Sequence, residues 1–212
     1  MLGVHAHEGL NRACLTRVES TPRPRSSRTL RFQSNAMFSW LKNIFRPYRD
    51  PYKALPHYAR LWLATEIASL YAPLLVERWP ETPHRFPRRL NWSLKSLRDH
   101  ITGSDLRPRK ARLAILQSLT VAGGAMQRGR QDVFEIATII RCAAEAAEKG
   151  ADESQAHLDE VLSYANDYAV RMERPDLWHQ VDSIALKIAE ITRNWDDKTM
   201  VPLNLISNRQ ET

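Results

Sequence analysis

Apolar residues return every three or four positions through most of this chain, and no other feature constrains its fold as tightly. The clearest case is Leu177, Val181, Ile184, Ala185, Ile188, Ile191 and Trp195, which fall on one face of a helix with about 3.6 residues per turn. Pro175 stands just ahead of them, where a helix's first turn tolerates the missing N–H. Alternating runs of Val, Ile and Thr, the mark of a half-buried strand, are scarce, and there are only 7 glycines in 212 residues. An all-α fold follows: a single-domain bundle of about six helices, with 43% apolar residues to fill its core.

The same spacing places the other helices. One runs from about His57 to Tyr71, ended or kinked by Pro73, and the apolar run Leu61 to Val76 reads as a core helix because it is short for a membrane span and carries Glu66 and Pro73. Pro80, Pro83 and Pro87 then predict an extended loop. Leu90, Leu94, Leu97 and Ile101 mark a short helix closed by Gly103, and Ser104 or Asp105 is expected to cap the next, with Pro108 in its first turn. That next helix contains LAILQSLTVAGGAM, apolar almost all the way round, and is expected to be the central element. Gly123 and Gly124 allow either a break or a close helix crossing. Gln131 to Lys149 is an alanine-rich helix that Gly150 ends; Asp152 is expected to cap its successor, whose stripe runs from Leu158 to Met172. The helical domain spans 57–195, and 196–212 reads as a frayed tail.

Residues 1–36 carry six Arg, two acids, two Pro and no apolar periodicity, so they cannot bury enough surface to offset the entropy of ordering. They read as a disordered leader: a transit peptide, translated upstream sequence, or the remnant of a cleavable tag, which the string QSNA before Met37 resembles. The functional chain is expected to begin at Met37. Residues 37–56 form an irregular arm of aromatics, cations and prolines.

Charge is divided along the chain. Residues 37–130 hold 17 Lys and Arg against 6 Asp and Glu, a net of +11, whereas residues 131–212 hold 8 against 16, a net of −8. The two halves can neutralise each other, or the first can present a basic surface to an anionic partner. Basic density peaks between Arg78 and Arg112. Trp92 projects away from the apolar stripe, grouped with Arg88, Lys95 and, more peripherally, Arg89, a pairing of ring and cations that single-stranded nucleic acid and protein partners both exploit. The alternative is that Trp92 packs under the proline-rich loop against Trp79 or Phe86. Arg107, Arg109, Lys110 and Arg112 sit in a first helical turn, the wrong end for the helix dipole, with Asp105 paired to Arg109 relieving part of the repulsion.

Motif chemistry is sparse. GAMQRGRQ has P-loop glycine spacing, but Arg130 and Gln131 replace the Lys and Ser/Thr, and a helix precedes it, so it reads as an interhelix turn. Glu153, His157 and Glu160 share a helical face, yet with Asp167 they read as a solvated acidic edge and not as a ligand set. Cys14 and Cys142 support neither a disulfide framework nor a four-ligand zinc site. No catalytic residue, metal or cofactor is expected. The function expected is that of a cytoplasmic, non-enzymatic interaction subunit or adaptor using Arg85, Arg88, Arg89, Trp92, Lys95, Arg107, Arg109, Lys110 and Arg112, with a protein partner, or RNA or single-stranded nucleic acid. Two alternatives stand beside it: peripheral membrane association through Phe38, Trp40, Ile44 and Phe45, and an enzyme with a dispersed site.

Overall fold

A computed structural model describes Tyr52 and residues 54–207. Among the described residues there are eight helices and no strand: α1 (His57–Tyr71), α2 (Leu74–Arg78), α3 (Arg85–Ile101), α4 (Pro108–Met126), α5 (Gln131–Lys149), α6 (Ala151–Arg171), α7 (Pro175–Ile191) and α8 (Leu203–Ser207). Six of them have 15 residues or more, which is the all-α bundle that the apolar spacing predicts. The leader lies outside the described residues, as does most of the 37–56 arm. From that arm, Tyr52 and Leu55 are buried against the bundle, and the Tyr52 hydroxyl donates to Asp182 Oδ1 at 3.3 Å.

The central helix is α5, not α4. Helix α5 packs against α1, α2, α3, α4 and α6, and Val133, Ile136, Ala137, Ile139, Ile140, Cys142, Ala143 and Ala144 are all buried. Helix α4 packs mainly on α3 and α5. Its buried positions are small, Ala111, Ala114, Ser118, Val121, Ala122 and Ala125, while Leu113, Leu116, Leu119 and Met126 point to solvent. Small residues let neighbouring backbones approach closely, so the packing face of α4 is its least bulky one; counting apolar residues around the helix hides this. Helix α1 forms the second buried layer, touching α3, α5, α6 and α7. The segment His57–Arg78 is long and apolar enough to cross a membrane, but 67% of its apolar window is buried inside the bundle, as a core helix requires.

Several local expectations change. The proline-rich stretch turns instead of running extended as the prolines predict: the Thr82 N–H bonds to Trp79 O at 3.0 Å and the Phe86 N–H to Pro83 O at 2.8 Å, His84 already has helical backbone angles, and α3 begins at Arg85, with Pro87 in the first turn where its fixed φ suits the helix. Neither Ser104 nor Asp105 is the cap of α4, which starts after Arg107 without a side-chain cap, although Asp105 Oδ1 accepts the Arg107 N–H at 3.1 Å. Asp152 lies inside α6, and Gly150 (φ +81°) turns the chain directly from α5 into α6. Gly124 marks a close crossing and no break: a Cβ there would stand 2.6 Å from Phe86 Cζ.

Nor are residues 196–207 of the expected tail frayed, residues 208–212 lying outside the described residues. The Asp197 carboxylate accepts the His57 N–H at 2.7 Å, satisfying a first-turn donor of α1 that Pro56 cannot reach with a side chain. Val201 is buried and its N–H bonds to Ile101 O at 2.9 Å, and Trp195 stacks on Trp62 with centroids 6.2 Å apart. These contacts join positions 100 or more residues apart, and no local pattern announces them.

Two consequences are measurable. Gly124→Ala forces Phe86 off Trp79, 5.8 Å away, and is expected to cost about 1–3 kcal/mol. Gly123→Ala meets nothing within 4 Å and is expected to stabilise by up to about 1 kcal/mol; denaturant unfolding of the two variants tests the contrast. The second concerns pH. Burial lowers the His57 pKa, helped by Arg60 and His100 and opposed by Asp197, and burial lowers that of His100, opposed by Asp105. The unfolded chain therefore takes up these protons first, and stability falls as pH drops through about 6.5 toward the lower folded values. Tm is expected to decline between about pH 7 and about pH 5, and the double variant H57Q/H100Q to flatten that decline.

Candidate basic and apolar interface

Helix α3 buries Phe86, Leu90, Leu94, Leu97 and Ile101 and turns Arg85, Arg88 and Lys95 to solvent, with Arg89 and Trp92 half-buried at the edge. It meets α4 closely: Ser93 Oγ, which bonds within its own helix to Arg89 O at 3.0 Å, is 3.2 Å from Ala114 O across the contact. Because that contact uses the small side of α4, Leu113 and Gln117 emerge beside Trp92. Arg85, Arg88, Arg89, Trp92, Leu113 and Gln117 line a single open concavity of about 480 Å³. Outside it on the same helix, Leu116 and Leu119 are 59% and 45% accessible, and Met126, the last residue of α4, is exposed where the interhelix turn begins.

Trp92 does not take the place expected for it under the proline-rich loop. Trp79 pairs with Phe86 instead and carries the Arg128 guanidinium 5.4 Å above its ring, while Arg85 lies 5.4 Å over Phe86. Trp92 rests its inner edge on the core and leaves the other edge in the concavity.

The cations divide into two sets. Arg88, Arg89, Lys95 and Arg109 have no carboxylate within ion-pairing distance among the described residues. Arg107, Lys110 and Arg112 are neutralised: Arg107 Nη2 and Lys110 Nζ each lie 2.6 Å from Asp105 Oδ2, Lys110 also faces Asp99 at 3.7 Å, and Arg112 Nε reaches Glu148 at 2.6 Å. Asp105 thus pairs with Arg107 and Lys110, not with Arg109, and hydrogen bonds from both hold its carboxyl well below the usual carboxylate range. The first-turn cluster of α4 is in this way largely offset by local acids and by α5.

A second ionic group is structural. Asp132, at the start of α5, faces Arg78 Nε at 3.2 Å and Arg130 Nη2 at 3.4 Å, and Arg130 also donates to the Arg78 carbonyl. Burial raises the Asp132 pKa, but hydrogen bonds from Arg78 and the Val133 N–H and the charge of Arg130 outweigh it and the pKa is lowered. Arg171 with Glu135, and Arg174 with Glu77 and Asp176, extend the ion pairs along this end of the bundle.

Arginine, tryptophan, leucine and glutamine bind and orient; as a lining they supply no group that shuttles a proton near neutral pH, so the concavity is equipped for recognition. Sequence reasoning found its cations and its ring. It missed the leucines, assigned to the core, although the run of Ala, Ser and Val on the other side of α4 was the available signal. Phe38, Trp40, Ile44 and Phe45 lie outside the described residues. No family model, curated protein or solved structure matches the chain.

The two cation sets differ in what they hold together. The triple variant R88A/R89A/K95A is expected to stay within about 0.5 kcal/mol of the parent in denaturant unfolding. D132A, which leaves Arg78 and Arg130 facing a half-buried gap, is expected to lose about 1.5–3 kcal/mol.

Proposed function

We propose that the chain is a non-enzymatic, cytoplasmic interaction module whose α3–α4 face receives an acidic amphipathic helix of a protein partner. One observation carries this: Arg85, Arg88 and Arg89, none with a carboxylate at ion-pairing distance among the described residues, line one concavity with Trp92 and Leu113, and Leu116 and Leu119 of the same helix are also exposed. Exposed leucines on a helix are costly to leave in water and are a feature of partner surfaces. A helix lying along them can bury its apolar side on the leucines while its carboxylates meet the arginines, with Trp92 as the central anchor.

Single-stranded nucleic acid is the second candidate, favoured by Trp92 set among Arg85, Arg88 and Arg89, where a base can stack while phosphates meet guanidinium groups. It gives the leucines no role. The two are separable by fluorescence anisotropy with the full chain, using a labelled acidic Leu/Glu heptad peptide and a labelled oligouridine. The peptide is expected to bind more tightly, and R88A/R89A/K95A and L116D/L119D are each expected to weaken it by about tenfold or more. If the oligouridine binds more tightly, W92A abolishes its binding and L116D/L119D leaves it intact, the nucleic-acid assignment replaces the protein one.

A further inference from the structure

Helices α5 and α6 form a hairpin about Gly150, and its first turns bring together donors that the sequence holds apart. Cys142 and Glu145 stand one turn apart on α5, as do His157 and Glu160 on α6. Cys142 Sγ and the carboxylates of Glu145 and Glu160 offer ligand atoms all within 4.8 Å of one another. His157 Nδ1 lies 3.3 Å from Glu160 Oε2 and 3.9 Å from Glu145 Oε2. The thiol is fully buried, and the His157 and Glu145 side chains are only 17% and 18% exposed. We infer that Cys142, Glu145, His157 and Glu160 form a binding site for a divalent transition-metal ion, with zinc as the chemistry that fits best.

The donor set is what separates this cluster from a solvated acidic edge. One sulfur, one imidazole nitrogen and two carboxylates from two facing helices make a four-donor set of the composition zinc accepts, and a thiolate selects against magnesium and calcium, which take oxygen ligands. Small neighbours make the convergence close: Ala143, Ala144, Ala146 and Ala147 of α5 are buried, which lets α6 approach. Arg141 touches two of the proposed ligands, its Nη2 lying 3.6 Å from Cys142 Sγ, so its guanidinium must swing off the sulfur when a metal binds. Its Nη1 donates to Glu145 Oε1 at 2.9 Å and leaves Oε2 turned toward His157, the arrangement in which a neighbouring donor orients a ligating carboxylate. Glu153 Oε2, 4.0 Å from His157 Nε2, can hold the ring by its other nitrogen in the same way, and Lys149 in turn lies 3.8 Å from Glu153. On binding, Cys142 forms an S–metal bond and gives its thiol proton to solvent; no redox step is involved. The site is remote from the α3–α4 concavity and does not depend on what that concavity binds.

The test uses the full chain freed of metal by a chelator and titrated with Co²⁺, then with competing Zn²⁺. The expected result is one equivalent bound with tetrahedral visible bands and a thiolate-to-cobalt charge-transfer band, both removed by zinc. H157Q and E160Q, whose side chains lie at the rim and whose folding is followed by circular dichroism, are each expected to weaken binding about tenfold or more. C142S is expected to abolish the charge-transfer band, and C14S to leave it unchanged. The inference is overturned by absence of the band, by its loss in C14S, or by binding that both H157Q and E160Q leave untouched.

Discussion

Close approach of α5 to its neighbours governs this structure. Alanines at 137, 143, 144, 146 and 147 of α5, and at 111, 114, 122 and 125 of α4, keep the side chains between backbones short. The helices are therefore drawn together by many small contacts, with Tyr71, Trp79 and Tyr168 filling the space where they diverge. Tyr71 illustrates how tightly such space is accounted for: its ring meets Tyr168 edge-on at 5.5 Å and its hydroxyl donates to Ala165 O at 2.8 Å. A buried phenol needs that partner, and burial raises its pKa.

The two surfaces of interest follow from this packing. Because α4 turns its small side inward, its leucines point outward, and Leu113 emerges next to the cationic edge of α3. Because α5 and α6 meet through alanines, the donors flanking those alanines are carried within a few ångströms of each other. Neither arrangement is required by the stability of the bundle in the way that Asp132 is, where one half-buried carboxylate answers both Arg78 and Arg130. Ion pairing also resolves the division of charge. Arg78, Arg112 and Arg60 find carboxylates of the second half, at Asp132, Glu148 and Asp197, so part of the basic excess is spent internally. Among the described residues of the first half, Arg85, Arg88, Arg89, Lys95, Arg98, Arg109 and Arg128 stay without a carboxylate at ion-pairing distance.

How much was legible from the residues differs from element to element. The bounds of α5 are readable because a polar turn precedes it and Gly150 follows, and α7 because Pro175 opens a stripe of seven apolar positions. Arg88, Arg89 and Trp92 could be grouped from helical phase, and they line one concavity; Arg85 joins them because α3 starts earlier than the prolines suggest, and Lys95 is not in its lining. The partner of Asp105, the packing side of α4 and the docking of residues 196–207 were not. Each depends on which residue of another helix arrives at a given point, and a helix with apolar residues around most of its circumference carries no mark of the side on which that will be.

Sequence by itself determined the class of fold and the approximate course of the six long helices, because helical periodicity, prolines and glycines act within a few residues of where they stand. It also determined that cations crowd the first half. Tertiary structure decided which helix is central, which leucines face water, which arginines are already matched, and that Cys142 and Glu145 meet His157 and Glu160. Those are relations between segments, set by how near small side chains let the backbones come, and spacing along one helix carries no information about distance to the next.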